Sequence, residues 1–204
     1  MVYRAGRQIK INVTLHSAGL VLKKYWFYAG LHRRKKEILK ELKNFSLIMY
    51  KVEKIISGGQ TGADRAALDF AIENKIPYGG WLPKGRKTED GTLPLKYHLQ
   101  EMPTGDYSKR TEKNVLDSDG TGIVSHGFLK MGSALTREFA VQHNKPWIHL
   151  DMKELSLQEA AERMISWLTE NQIKILNVAG PRAGNDPTIY DTTLRLLEIA
   201  FLKI

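Results

Sequence analysis

The sequence contains no cysteine among its 204 residues, so disulfide bonds, thiolate metal ligands and a cysteine nucleophile are all excluded. It also lacks an apolar segment long enough to cross a bilayer, which needs about 20 residues. The most apolar early stretch, residues 18–28, is interrupted by Lys23 and Lys24. No small-residue cleavage site follows a clean apolar core. We therefore expect a soluble, cytoplasmic protein.

Acidic residues are scarce in one part of the chain only. Residues 1–48 contain 11 of the 31 lysines and arginines but only 2 of the 22 acidic residues, Glu37 and Glu41. The net charge of +9 therefore belongs to this segment, and the rest of the chain is neutral overall. We divide the chain into a basic N-terminal extension, residues 1–48, and a folded domain, residues 49–204.

Three interpretations of the extension are open. Aromatic residues 25–28 beside cations suit an arm that binds nucleic acid or an anionic membrane surface. The extension also has the pattern of a helix packed on the domain, with an apolar stripe of Ile38, Leu39, Leu42 and Phe45. The abrupt change of composition near Met49 favours a third interpretation, in which the extension is poorly ordered or Met49 is the true first residue.

From residue 51 onward, short apolar segments alternate with segments of helical periodicity. Strands are predicted at residues 54–57, 77–81, 122–125, 147–150 and 175–179. Strand-helix-strand units of this kind form parallel sheets. We therefore predict an α/β fold, a Rossmann-like doubly wound parallel sheet of five strands with helices on both faces.

Start signals mark two of the intervening helices. Ser156 and Glu159 have capping-box spacing. Asp186 followed by Pro187 suits the start of a C-terminal helix. Another helix is predicted at residues 133–143, from its apolar spacing.

A glycine-rich junction follows the first predicted strand. Gly58, Gly59 and Gly62 let a ligand approach the backbone, and the helix that follows offers unpaired N–H groups at the positive end of its dipole. The spacing matches neither the dinucleotide fingerprint nor the P-loop. The junction therefore predicts an anion site, usually for phosphate, although a tight turn alone would also explain the glycines.

Polar or glycine-rich segments follow four of the five predicted strands, at residues 58–64, 83–91, 126–136 and 180–186. Because the carboxyl ends of parallel strands share one edge, we expect these segments to converge on a ligand there. The long segment 82–105 is expected to cover the site. The candidate ligand-binding residues are Gly58, Gly59, Gln60, Thr61, Gly62, Asp64, Arg65, Lys84, Arg86, Arg110, Asn114, Asp119, Ser133, Thr136 and Arg182.

Several of these candidates have a specific chemical reason. Arg110 and Asn114 would share one face of a short helix, which offers a planar donor fork beside an amide. Asp64 would repel a phosphate placed beside it, so a bond to ribose hydroxyls or to Arg65 suits it better. His126 is the one histidine in a predicted site segment, and no histidine cluster has metal-ligand spacing. We expect no metal bound directly by the protein.

Six motifs together resemble those of a known family, the circularly permuted SLOG family, whose members are described as molybdenum carriers. The motifs occupy residues 56–69, 80–86, 89–91, 110–115, 117–121 and 179–182. The resemblance covers residues 52–204 and none of residues 1–48. One departure lies after the third strand, where Lys130 to Ser133 replace the Ser-Gly-Gly-Thr turn of such proteins.

The resemblance implies a Rossmann-like domain related to cytokinin-activating phosphoribohydrolases and to an algal molybdenum-cofactor carrier. These relatives usually self-associate, so a homo-oligomer is expected. The implied ligand is molybdenum cofactor, a phosphorylated pterin, or a nucleotide. Without cysteine, the protein would bind the pterin and phosphate and leave the metal to the cofactor's own sulfurs.

Two other functions stay open beside the carrier. Glu89 and Asp90 are candidate acid-base residues for a hydrolase that cleaves the N-glycosidic bond of a nucleoside monophosphate. SLOG relatives also include a DNA-processing protein, so the basic extension could bind nucleic acid, whereas the neutral core is not expected to do so. No membrane partner is expected.

Overall fold

The computed structural model describes residues 52–202. The predicted extension, residues 1–48, lies outside the described residues. The strands are β1 (Lys54–Ile56), β2 (Tyr78–Gly79), β3 (Trp81–Leu82), β4 (Lys87–Thr88), β5 (Gly91–Thr92), β6 (Gln100–Glu101), β7 (Gly120–Ser125), β8 (Trp147–Asp151) and β9 (Ile175–Ala179). The helices are α1 (Ala63–Glu73), α2 (Tyr107–Leu116), α3 (Met131–Gln142), α4 (Leu157–Glu170) and α5 (Ile189–Leu202).

Five of the strands form one parallel sheet in the order β2-β1-β9-β7-β8, as the alternating pattern predicts. The last strand, β9, lies in the middle, with Leu176 opposite Ile55 of β1 and Val178 opposite Gly122 of β7. If β9 came first in the chain, the order would be 3-2-1-4-5, that of a doubly wound nucleotide-binding sheet. The fold is therefore Rossmann-like with a permuted chain order, and its winding reverses between β9 and β7.

The main core lies between the sheet and the helices α1, α4 and α5, where α5 packs on both α1 and α4, while α2 packs on α3. Phe70, Leu150, Met164, Leu176 and Leu197 are fully buried there. Burial of side chains of this size stabilises a fold by about 1.5–3 kcal/mol each. This core fixes the strand ends on which the candidate site depends.

A separate cluster, which we call the small core, lies under the long segment between β2 and α2. Its buried members are Leu68, Leu82, Leu93, Tyr97 and Leu99. The two-stranded pairs β3-β6 and β4-β5 belong to this segment. It is therefore a built subdomain, not a free loop.

The predicted strand at residues 77–81 is wrong in one respect, because it divides into β2 and β3. Gly80 has φ +135°, and a Cβ added there would overlap the carbonyl oxygen of Ser57. The chain turns at this glycine, so that Trp81 leaves the main sheet and pairs with Gln100 of β6. Apolar periodicity does not reveal such a turn.

The helices follow most of the sequence signals, but α5 begins at Ile189, so Asp186 and Pro187 precede the helix and do not form its N-cap and first turn. The capping box of Ser156 and Glu159 is present at the start of α4 and confirms that prediction. The predicted short helix around Arg110 is α2, where the Asp106 carboxylate accepts hydrogen bonds from the N–H groups of Ser108 at 2.8 Å and Lys109 at 3.3 Å. Among residues 52–202, no helix has the length and hydropathy that crossing a membrane requires.

Candidate functional site

Three segments meet at the carboxyl edge of the sheet. The glycine loop, residues 58–62, follows β1, and the β9 loop, residues 180–186, follows β9. A Cβ added at Gly62 would overlap the carbonyl oxygen of Pro181 and lie 2.9 Å from the nitrogen of Ala183, so these two loops are in direct contact. The third segment is the hairpin tip, Glu89 and Asp90, which joins β4 to β5.

Arg110 of α2 reaches the glycine loop through its side chain. A Cβ added at Gly58 would overlap its Nη1 atom, so only glycine leaves room for the guanidinium group. Nη1 lies 3.5 Å from Oδ2 of Asp64, at the long limit of a hydrogen bond. Within residues 52–202, the buried Nε of Arg110 has no hydrogen-bond partner. The Arg110 side chain is 12% exposed, and its guanidinium group has fewer hydrogen-bond partners than it has donors.

Asp64 lies at the start of α1, beneath Arg110. Its burial raises the pKa of its carboxyl group, while the charge of Arg110 and the N–H group of Gln60 act in the opposite direction. The N–H of Gln60 donates to Oδ2 across 3.4 Å.

Arg65 connects the glycine loop to the hairpin tip. Its Nη2 donates to the carbonyl oxygen of Gly59 at 3.4 Å and to Oδ1 of Asp90 at 3.2 Å. The guanidinium carbon lies 5.3 Å from the centre of the Tyr97 ring. A hydrogen bond from Thr88 and another from Arg65 lower the pKa of Asp90, so this carboxylate is charged at neutral pH.

Glu89, the other residue of the tip, contacts both loops. It accepts hydrogen bonds from the hydroxyl of Thr61 and, at 2.9 Å, from the N–H of Gly184. Nε of Arg182 lies 3.3 Å from its Oε2. The N–H of Ala183 donates to Oγ1 of Thr61 at 3.1 Å, which joins the two loops beneath the carboxylate.

Three arginines therefore surround the glycine loop, and each faces one carboxylate: Arg65 with Asp90, Arg110 with Asp64, and Arg182 with Glu89. Gln60 supports the arrangement, since its Oε1 accepts from the N–H groups of Thr61 at 3.0 Å and Glu89 at 2.9 Å. Such a set of donors around a glycine loop can bind an anionic group.

Two candidate donors are already used by the backbone. The side-chain amide of Asn114 accepts from the N–H of Trp81 at 2.8 Å and donates to its carbonyl oxygen at 3.3 Å. Arg86 donates to three carbonyl oxygens of the small-core segment, in Leu93, Pro94 and Tyr97, at 2.9–3.1 Å. Both residues shape the segment that covers the site.

The remaining candidates lie away from the three arginines. Asp119 precedes β7 and is at the amino edge, where its Oδ2 accepts from the N–H groups of Lys174 at 3.0 Å and Ile175 at 2.7 Å. Ser133 and Thr136 are buried on α3, and the Thr136 hydroxyl donates to the carbonyl of Gly132 at 2.8 Å. None of these hydrogen bonds reaches the glycine loop.

Lys84 is the last candidate. It is exposed, and its backbone N–H donates to the carbonyl oxygen of Thr104 at 2.9 Å. Its side chain places an exposed positive charge on the segment that covers the site.

Two contacts near the site could not be predicted from the sequence, because each joins residues that are far apart in the chain. Nδ1 of His126 lies 2.8 Å from Oδ2 of Asp186, which connects the segment after β7 to the β9 loop across the reversal point of the sheet. Nε2 of His149 lies 2.8 Å from the hydroxyl of Ser125, which donates to the carbonyl oxygen of Gly127. Because that serine is buried and its proton is engaged, the pair is structural and not a nucleophile with its base.

Within the described part of the chain, no group of three or more histidine, aspartate or glutamate side chains is placed to bind a metal ion. The arrangement at the glycine loop is instead one of arginines, carboxylates and backbone N–H groups. An arrangement of this kind can bind an anion, and Glu89 and Asp90 are the carboxylates of the hairpin tip beside it.

Comparison with known proteins identifies the family. The sequence profile of the circularly permutated YpsA SLOG family matches residues 55–201. The chain is 62% identical to the "Putative molybdenum carrier protein" of Syntrophus aciditrophicus SB, whose crystal structure was determined at 1.45 Å resolution. That match covers 74% of this chain and 96% of the other, with a TM-score of 0.74. No curated protein matches the chain. The chain belongs to the circularly permuted YpsA SLOG family.

Proposed function

We propose that this protein is a carrier that binds molybdenum cofactor, or a closely similar phosphorylated pterin or nucleotide, at the carboxyl edge of the sheet. The phosphate of the ligand contacts Arg110 above Gly58. The observation that carries this proposal is the buried, poorly satisfied guanidinium group of Arg110, which lies directly on the glycine loop.

The energetic argument concerns what is missing around that guanidinium group. A buried donor without a partner costs about 1–3 kcal/mol. A phosphate can accept two parallel hydrogen bonds from one guanidinium group, and a planar arginine fork is suited to this geometry. Because Gly58 has no side chain, the guanidinium group of Arg110 lies directly against the backbone of the loop. Arg65 and Arg182 supply further positive charge nearby.

The choice of a carrier rests on the relative's name and on the donor set. The Syntrophus protein is named as a molybdenum carrier. The present chain has no cysteine to act as a thiolate ligand, so its residues suit the pterin and phosphate rather than the metal. A carrier needs binding without reaction, which paired and hydrogen-bonded carboxylates favour.

A hydrolase that releases the base from a nucleoside monophosphate is the second candidate. The observation in its favour is the position of Glu89, whose carboxylate touches Thr61 of the glycine loop. A group at this place could serve as general acid or base for a bound ribose. Binding of nucleic acid through residues 1–48 concerns a segment outside the described residues.

The proposal is tested by incubating the full chain with molybdenum cofactor and with a panel of nucleoside monophosphates, followed by mass spectrometry of bound and released molecules. We expect one ligand to be retained unchanged. Replacement Arg110→Lys, which keeps the charge but removes the planar fork, should weaken binding at least tenfold, or about 1.4 kcal/mol. The matched control is Arg163→Ala on the exposed surface of α4.

The control should bind as tightly as the unmodified protein, and circular dichroism verifies that both variants are folded. Release of free base from a nucleoside monophosphate would show that the protein is a hydrolase and not a carrier. Equal affinity of Arg110→Lys and the unmodified protein would show that the phosphate lies elsewhere. Absence of binding to every molecule of the panel would overturn the proposal.

A further inference from the structure

Two of the three carboxylates at the arginines come from one short turn. The pairs Lys87–Thr92 and Thr88–Gly91 form the antiparallel hairpin β4-β5, so that only the tip residues Glu89 and Asp90 connect its strands. Glu89 faces Arg182, and Asp90 faces Arg65. The third carboxylate, Asp64, belongs to α1 and is buried in the body of the domain.

The surroundings of Glu89 resemble those of a bound phosphate oxygen. Its carboxylate accepts from a hydroxyl, from a backbone N–H and from a guanidinium group, those of Thr61, Gly184 and Arg182. Phosphates and carboxylates compete for donors of these kinds. An anionic ligand that uses the same donors must therefore displace Glu89.

We propose that the hairpin tip is a built-in competitor for the ligand: Glu89 pairs with Arg182 and Asp90 with Arg65, and a phosphorylated ligand binds these two arginines only as the tip withdraws. This inference rests on the proposed function and adds its regulation. Arg110 pairs with Asp64 and not with a residue of the tip, so the ligand meets this arginine first and then competes with the tip for Arg65 and Arg182.

The tip can withdraw without exposing core. Its residues are exposed and their recorded contacts are polar. The segment is anchored immediately afterwards, because Leu93 is buried in the small core and its carbonyl accepts from Arg86 at 3.0 Å. Each ion pair of the tip has one partner that is half exposed, Asp90 at 53% and Arg182 at 43%, so water can replace part of the contact when the tip leaves. The free energy needed to withdraw the tip is therefore small enough to be supplied by a ligand that binds the open arrangement more tightly.

Removing the charge of the tip provides the test, with inorganic phosphate and AMP as probes at fixed ionic strength. Glu89→Gln and Asp90→Asn should each tighten the dissociation constant about threefold, and the double variant about tenfold. Glu162→Gln on the exposed face of α4 changes the net charge equally, and its affinity should stay unchanged. A gain at Glu162→Gln equal to that of the tip variants would mean that net charge alone is responsible, which overturns the proposal.

Hydrogen exchange gives a second, independent measurement. The N–H of Glu89 donates to Oε1 of Gln60 at 2.9 Å in the closed tip. Saturating AMP should speed exchange at Glu89, whereas the core strand β7 should keep its protection. Unchanged or slower exchange at Glu89 in the AMP complex would contradict withdrawal of the tip.

Failure of this inference is distinguishable from failure of the proposed function. If the tip variants bind AMP no more tightly than the unmodified protein while Arg110→Lys weakens binding, the site exists and the competition does not. If neither the unmodified protein nor any tip variant binds phosphate, AMP or the cofactor, the proposed function itself fails. Loss of base release in Glu89→Gln, with affinity unchanged, would make Glu89 a catalytic residue instead of a competitor.

Discussion

The glycine loop and the hairpin tip face each other across the candidate site, and they are built in opposite ways. The glycine loop has no spare space, since added Cβ atoms at Gly58 and Gly62 would overlap Arg110 and Pro181. There is free space directly after the tip, since an added Cβ at Gly91 of β5 would meet nothing within 4 Å. One side of the site is therefore fixed by packing and the other only by polar contacts.

This difference assigns separate tasks to the two sides. A fixed loop keeps Arg110 in place before a ligand arrives, which reduces the entropy lost on binding. A tip held by polar contacts can exchange its carboxylates for those of a ligand without disturbing the core. Mutations on the two sides should consequently affect different quantities: stability on the glycine loop, and affinity at the tip.

The largest effect is expected for Gly62→Ala. Gly62 has φ +76° and ψ −132°, which side chains disfavour, and its Cβ would overlap the carbonyl oxygen of Pro181. Strain and overlap together should lower the free energy of unfolding by about 4 kcal/mol. Urea denaturation followed by circular dichroism measures this loss.

Gly105→Ala is the control for that experiment. Gly105 is exposed, and an added Cβ there meets nothing within 4 Å. Its free energy of unfolding should change by no more than about 0.5 kcal/mol. If both variants lost the same stability, the glycine loop would not be the rigid side of the site.

A smaller effect is expected at the boundary between the small core and the tip. Leu93→Ala should cost about 3 kcal/mol, because this side chain is 1% exposed and its removal leaves a cavity. Leu95→Ala, two residues later and 79% exposed, should change stability by less than about 0.5 kcal/mol. Equal losses in urea denaturation would show that the segment is not anchored at Leu93.

The sheet was predictable because apolar segments of strand length alternate with helical periods, a pattern that determines parallel strands. The central position of β9 could not be predicted, since periodicity shows that residues 175–179 form a strand but not which strands lie next to it. Convergence of the strand-end segments follows from parallel topology alone. The meeting of the glycine loop with the β9 loop is of this kind.

The roles of individual polar residues were less accessible. Residue type reveals that Arg86 and Asn114 carry donors, but only the folded backbone shows that carbonyl and N–H groups of the covering segment use them. The pairing of tip carboxylates with Arg65 and Arg182 likewise depends on contacts across 25 and 93 positions of sequence. Whether the predicted site residues bind a ligand stays a prediction.

The smallest expected effect concerns Asp69, which fastens the covering segment to the helices. Its Oδ1 accepts from the Tyr97 hydroxyl at 2.7 Å, and its Oδ2 accepts from the Tyr190 hydroxyl at 2.9 Å. Burial, together with the hydrogen bond and charge of Asp69, raises the pKa of Tyr97 to about 12 and raises that of Tyr190 as well. Two tyrosines should therefore titrate later than the others.

In Asp69→Asn, the negative charge is lost while burial remains, so the pKa values of Tyr97 and Tyr190 should both move part of the way towards 10 in a tyrosinate absorbance titration.

The variant Tyr97→Phe shows which of the two late titrations belongs to Tyr97. Because the folded-state pKa is raised, the stabilising contribution of Tyr97 is complete below pH 10 and is lost as the pH rises through about 12. Tyr97→Phe should lower the free energy of unfolding by about 1 kcal/mol at neutral pH. Above pH 10, its free energy of unfolding should fall less steeply than that of the unmodified protein. An unchanged titration in Asp69→Asn would mean that Asp69 does not hold Tyr97 and the covering segment against the helices. The glycine loop would then be the rigid part of the site, and the covering segment would not.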